Sequence, residues 1–136
     1  MTFLRMEELD LTGKHVLIRE DLNVPIRNGV VSNDMRIKAA LPTIEQVRAE
    51  SETVILMSHL GRPEEGKPIS KQLEFSLRPI ANRLAELLAC RVELIEDYLD
   101  KPDAVRNSDA DIVLLENVRI NSGEKANDDG LATHYA

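Results

Sequence analysis

The sequence predicts an α/β protein: a parallel sheet with helices on both faces, the three-layer arrangement of Rossmann-like domains. Three observations lead there. Four short β-prone runs are rich in branched apolar residues, as strands buried on two faces are. Segments with helical character separate the early runs in the order β-α-β-α-β, which a parallel sheet with right-handed crossovers accommodates. The chain has 136 residues, 43% hydrophobic and 30% charged, which suits one globular domain with a modest core.

The first strand is His15-Val16-Leu17-Ile18-Arg19, entered from the turn residues Thr12-Gly13-Lys14. A helical stretch, MRIKAALPTIEQVRAE, follows, with Ser32 or Asn33 as N-cap and Pro42 demanding a kink or a restart. Thr53-Val54-Ile55-Leu56-Met57 is the second strand. Residues 61–72, rich in Gly, Pro and charge, read as a long surface loop. Ser76 then caps a helix in which Leu77, Ile80, Ala81, Leu84, Leu87 and Leu88 recur on one face. Arg91-Val92-Glu93-Leu94-Ile95 and Asp111-Ile112-Val113-Leu114-Leu115 complete the strand series.

Composition excludes several function classes. With 17 basic and 24 acidic residues the net charge is -7, which favours neither nucleic acid nor an anionic membrane. No apolar run reaches the ~20 residues needed to cross a bilayer, and MTFLRMEELD lacks a signal-peptide core, so the expected location is cytoplasmic. Cys90 lies in an apolar run and reads as a small buried hydrophobe, and one cysteine makes no disulfide framework. No metal-ligand spacing, no G-x-G-x-x-G after the first strand and no P-loop occurs; Gly66-Lys67-Pro68 is not a substitute.

In an open parallel sheet, ligands sit beyond the carboxyl ends of the strands. There the sequence places Arg19-Glu20-Asp21-Leu22-Asn23-Val24-Pro25, Ser58-His59-Leu60-Gly61-Arg62-Pro63 and Glu116-Asn117-Val118-Arg119. Arginine offers a planar fork of donors that matches phosphate and carboxylate oxygens, so Arg62, Arg119, His59 and Asn23 together fit a small polyanion. Arg36, in the first turn of the first helix, joins them where free N–H groups attract anions. Asp21 would repel a phosphate and suits a substrate hydroxyl or an arginine instead. Singly, each arginine is by default a surface residue, Asp21 to Pro25 a turn, and His15, His59 and His134 structural. Convergence at three strand ends is what points to a site.

The same segments, together with Asp34-Met35-Arg36-Ile37 and Leu41-Pro42-Thr43-Ile44, resemble in order the signatures of phosphoglycerate kinases over nearly the whole chain. Ile120 and Ser122, in Arg119-Ile120-Asn121-Ser122-Gly123-Glu124, and Glu20 depart from the commoner pattern. The resemblance implies reversible phosphoryl transfer between 1,3-bisphosphoglycerate and ADP, giving 3-phosphoglycerate and ATP in glycolysis. It implies a substrate site at Asp21, Leu22, Asn23, Arg36, His59, Leu60, Gly61, Arg62 and Arg119, with Arg36 as the catalytic residue and no metal ligand. Residues 1–136 would be a truncated N-terminal substrate-binding domain, ending before a further core strand and the nucleotide domain that binds Mg-ATP or Mg-ADP. The expectations that follow are a monomeric full enzyme, no kinase activity in these 136 residues alone, and self-association through an uncovered Val16-Leu17-Ile18 edge. The alternative is a stand-alone anion-binding or regulatory module.

Overall fold

The computed structural model of the chain describes residues 9–123 and Tyr135. Residues 1–8, Glu124 and His134, on which expectations above depend, lie outside the described residues. The element order is β1 (His15–Arg19), β2 (Ile26–Arg27), β3 (Val30–Val31), α1 (Met35–Glu50), β4 (Thr53–Met57), α2 (Arg78–Leu88), β5 (Val92–Ile95), α3 (Pro102–Arg106) and β6 (Ile112–Leu115). Four strands form one parallel sheet in the order β1-β4-β6-β5, with His15 opposite Thr53, Val54 opposite Ile112 and Val92 opposite Ile112.

Alternation along each strand sorts the side chains between two layers. Val54, Leu56, Leu94, Ile112 and Leu114 join α1 and α2 in the larger core through Ile37, Ile44, Val47, Ile80 and Leu84. Ile55, Met57, Ile95, Val113 and Leu115 point the other way, to a smaller cluster with Tyr98, Val105 of α3 and Tyr135. Strand direction explains the helix placement. The chain crosses from β1 to β4 and from β4 to β5 in one sense and returns from β5 to β6 in the other. Crossovers of a single hand then put α1 and α2 on one face and α3 on the opposite one.

Three local details differ from the sequence reading. Helix α1 begins at Met35 with Asp34 at the cap position; the Asn33 side chain accepts from the Met35 amide at 3.0 Å, and Ser32 gives its hydroxyl to the Pro25 carbonyl. The Asp34 carboxylate is occupied by Arg83 of α2, at 2.7 and 2.9 Å, which holds its pKa below the usual 3.8. The helix continues through Pro42 without a restart, and Pro42 lies on the exposed side where water can serve the carbonyl left without a donor. Ser76 precedes the α2 cap, occupied by Leu77, and its hydroxyl oxygen accepts from the Arg78 amide at 3.2 Å.

Two features had no counterpart in the sequence reading. A hairpin joins β2 to β3 through Asn28 and Gly29, both at positive φ (53° and 74°), the pairing that a tight I′ turn requires. The loop over residues 61–77 contains 3-10 turns at Ile69–Lys71 and Leu73–Phe75 around the buried Gln72. The Gln72 side chain accepts from the Glu64 amide and donates to the Glu64 and Lys67 carbonyls. Among the described residues no helix is long and apolar enough to cross a membrane.

Candidate functional site

The carboxyl ends of β1, β4 and β6 are stitched together by polar groups on either side of Ser58. Its buried hydroxyl oxygen accepts from the Leu22 amide at 3.0 Å, and its carbonyl accepts from the Val118 amide at 3.1 Å. One residue at the end of β4 thus fixes the segments leaving both neighbouring strands. Leu22 itself is fully buried, so its side chain serves the core while its amide fixes the turn. Asp21 closes that turn by accepting from the Asn23 amide at 3.2 Å.

Asn23 then faces the end of β4, where its side-chain oxygen accepts from the Gly61 amide at 3.1 Å. Gly61 has a left-handed backbone, φ +60°, and a Cβ there would sit 2.9 Å from the Phe75 ring. Glycine is required twice over, for the conformation and for the close approach. Beside it, the Asn117 side chain donates to the carbonyls of Leu60 and Phe75, both at 2.9 Å, and accepts from the Arg119 amide at 3.1 Å.

Behind Asn117 lies a fully buried carboxylate, Glu116. One oxygen accepts from the Leu77 amide (2.7 Å) and the Asn117 amide (2.9 Å), the other from the Ser76 hydroxyl (2.8 Å). Its position at the start of α2 also sets negative charge against the positive end of the helix dipole. Three donors compensate a group whose burial alone would be costly. Among the described residues no buried side-chain nitrogen or oxygen lacks a partner.

These walls enclose an open groove of about 740 Å³, lined by Asn23, Arg36, Leu60, Gly61, Glu74 and Phe75 among others. Arg36 projects from the first turn of α1; its guanidinium donates to the Asn23 carbonyl at 2.8 Å and lies 3.4 Å from the Asp21 carboxylate. Both partners of that ion pair are more than half exposed, at 57% and 64%, so the pair is weak and exchangeable. An incoming phosphate or carboxylate that engages the fork through two oxygens can outcompete it.

Of the residues singled out by sequence, the groove brings together Asn23, Arg36, Leu60 and Gly61. Asp21 borders it through Arg36. His59, half-buried, and Arg62, exposed, flank Leu60 and Gly61 without lining the groove, and Arg119 sits in the 3-10 turn after β6. Sequence reasoning did not single out Ser58, Phe75, Glu116 and Asn117 for their architectural work. The signal available was their position at strand ends, but only the fold shows that their polar atoms face neighbouring segments. Among the described residues no group of three or more His, Cys, Asp or Glu side chains could hold a metal ion.

Comparison with known proteins bears on this geometry. Residues 6–136 match the family model described as phosphoglycerate kinase. The phosphoglycerate kinase of Coxiella burnetii superposes with a TM-score of 0.84 at 44% identity, covering 98% of this chain and 32% of that one. The enzyme from Pyrococcus horikoshii OT3 gives a TM-score of 0.74 at 29% identity, covering 90% of this chain and 29% of its own. The chain therefore spans about a third of the length of these solved relatives. From the family match over almost its entire length, supported by the shared fold, the chain belongs to the phosphoglycerate kinase family.

Proposed function

We propose that the groove at the carboxyl ends of the strands binds 3-phosphoglycerate and 1,3-bisphosphoglycerate, and that this chain is the substrate-binding part of a phosphoglycerate kinase. The observation that carries the reading is the meeting of Arg36, Asn23 and Gly61, from three separate stretches of sequence, in one groove of a chain in this family. In the reaction, the bond between the acyl oxygen and phosphorus breaks, a bond from phosphorus to an ADP oxygen forms, and the carboxylate of 3-phosphoglycerate is released. Such a transfer needs alignment and positive charge around the moving phosphoryl group rather than a nucleophilic side chain.

Each residue then has a task. Arg36, pivoting away from Asp21, engages the reacting carboxyl end and stabilises the group in flight. Asp21 and Asn23 accept and donate hydrogen bonds to the glycerate hydroxyl and carboxyl. His59, Arg62 and Arg119 hold the phosphate that does not react, so that remote binding energy positions the acyl group. Mg-ATP or Mg-ADP would be held by a nucleotide-binding region outside residues 1–136.

Calorimetric titration of the 136-residue chain with 3-phosphoglycerate, beside Arg36→Gln, tests the reading. Saturable binding that weakens by about tenfold or more in the variant is expected, the value of a lost charge-assisted hydrogen bond. Equal affinity in both proteins would overturn it. A coupled assay is expected to show no nucleotide-dependent turnover by these 136 residues alone.

A further inference from the structure

The groove has one wall that no ligand-facing charge explains: the junction of Leu60, Gly61 and Phe75. Its shape depends on a side chain behind it. The Asn117 amide nitrogen donates at once to the Leu60 carbonyl, at the end of the β4 segment, and to the Phe75 carbonyl, at the end of the long loop. These acceptors lie 57 and 42 residues from Asn117, so no local turn could bring them together. Next along the chain, the Gly61 amide is the donor to the Asn23 side chain, and Asn23 in turn receives Arg36 on its carbonyl. On the far side, the Asn117 backbone amide is anchored on the buried Glu116 carboxylate.

We propose that Asn117 is a positioning residue of the substrate groove. By clamping the Leu60 and Phe75 carbonyls, it aims the Gly61 amide at Asn23 and so fixes the carbonyl on which Arg36 rests. The clamp requires a nitrogen with two hydrogens. Aspartate has the same shape but no such donor, and would set a carboxylate against two carbonyl oxygens. The effect on ligand affinity rests on the substrate reading above; the effect on Gly61 does not.

The test therefore has two readouts on the full 136-residue chain, with Asn117→Asp compared against Ile44→Val, a core substitution remote from the groove. The first is hydrogen exchange of the Gly61 amide without ligand. Asn117→Asp is expected to accelerate it by about tenfold at pH 8, the fold-change of one net hydrogen bond, and acidification to pH 4 is expected to restore part of the protection relative to wild type as the new carboxyl gains a proton. Ile44→Val is expected to leave it unchanged once exchange is corrected for global stability. Unchanged Gly61 exchange in a folded Asn117→Asp, or the same acceleration in Ile44→Val, would overturn the inference. If Asn117→Asp fails to fold, Asn117→Ser, which keeps one donor, takes its place with a smaller acceleration expected and the same overturning result. The second readout is 3-phosphoglycerate affinity, expected to fall about tenfold in Asn117→Asp and not in Ile44→Val. A wild-type chain that fails to bind overturns the substrate reading while Gly61 exchange still decides the positioning role.

Discussion

The two sides of this sheet are finished in opposite ways. At the carboxyl-end rim β1, β4 and β6 run into segments tied by polar side chains across long stretches of sequence: Ser58 to Leu22, Asn23 to Gly61, Asn117 to Leu60 and Phe75, Glu116 to Ser76 and Leu77. Among the described residues, the face opposite α1 and α2 is covered mainly by the five-residue α3 and the stacked Tyr98 and Tyr135, whose hydroxyls are both held by Asn121. Between Leu17, Ile55, Tyr98, Val105 and Leu115 it keeps a groove of about 300 Å³. Beside that groove β1 forms the sheet edge, and Leu17 is 38% exposed. The rim is preorganised by polar ties, whereas the second face is apolar and thinly covered. Preorganised polar groups favour a directional small ligand; exposed apolar surface at a sheet edge favours other polypeptide.

Breaking the rim at its buried charge should have the largest effect. Glu116→Ala leaves two amides and a hydroxyl without their acceptor and is expected to cost about 3 kcal/mol or more in urea denaturation. A cost below ~1 kcal/mol would mean that the carboxylate is not what ties the loop to the strand end. Gly61→Ala comes next, at about 2 kcal/mol, from the left-handed backbone and the contact with Phe75. It should also weaken 3-phosphoglycerate binding, which circular dichroism melts and calorimetry can follow on the same samples.

The second face is sharpened by a surface change. The Lys14 carbonyl and the Glu20 amide bond on the β4 side, so the backbone groups of His15 and Leu17 point to the other side, where among the described residues no strand pairs with β1. Light scattering should show a mass that rises with concentration for the wild-type chain and a monomer for Leu17→Lys, with stability changed by less than about 0.5 kcal/mol. A wild-type monomer at every concentration would remove the adhesive reading of this edge.

The smallest effect is electrostatic and belongs to neither side. Arg83 holds the Asp34 carboxyl below its usual 3.8, so the stabilisation is complete above that pH and is lost as pH falls through the lowered folded value. Asp34→Asn should flatten that acid-side loss in urea midpoints compared between pH 6 and pH 3. An unchanged slope would assign the loss to other carboxylates.

Much of this was legible in the sequence because the central strands β4 and β6 are largely buried on both faces. The edge strand β1, expected to be buried on both faces too, has none of its residues buried because no strand lies beyond it among the described residues. Thr53 to Met57 and Ile112 to Leu115 are continuous apolar runs, and α2 carries its core residues at helical spacing, so element type followed from pattern alone. Strand order did not, because nothing local to residues 92–95 or 112–115 says that β6 lies between β4 and β5. The two-residue strands of the hairpin are too short for periodicity, although Asn28-Gly29 carried the turn signal. In the site, Arg36 and Asn23 could be picked out because their chemistry suits an anion. Ser58 and Asn117 could not, because their work consists of bonds to backbone groups 36 to 57 residues away.

On the proposed function, the rim and not the second face receives the substrate. The most direct test maps backbone amide shifts of the 136-residue chain during titration with 3-phosphoglycerate. Concerted, saturable shifts at Asn23, Arg36 and Gly61, with Leu17, Val105 and Tyr135 unmoved, are the predicted result. Shifts confined to Leu17, Val105 and Tyr135, or none at Arg36 at millimolar ligand, would contradict it.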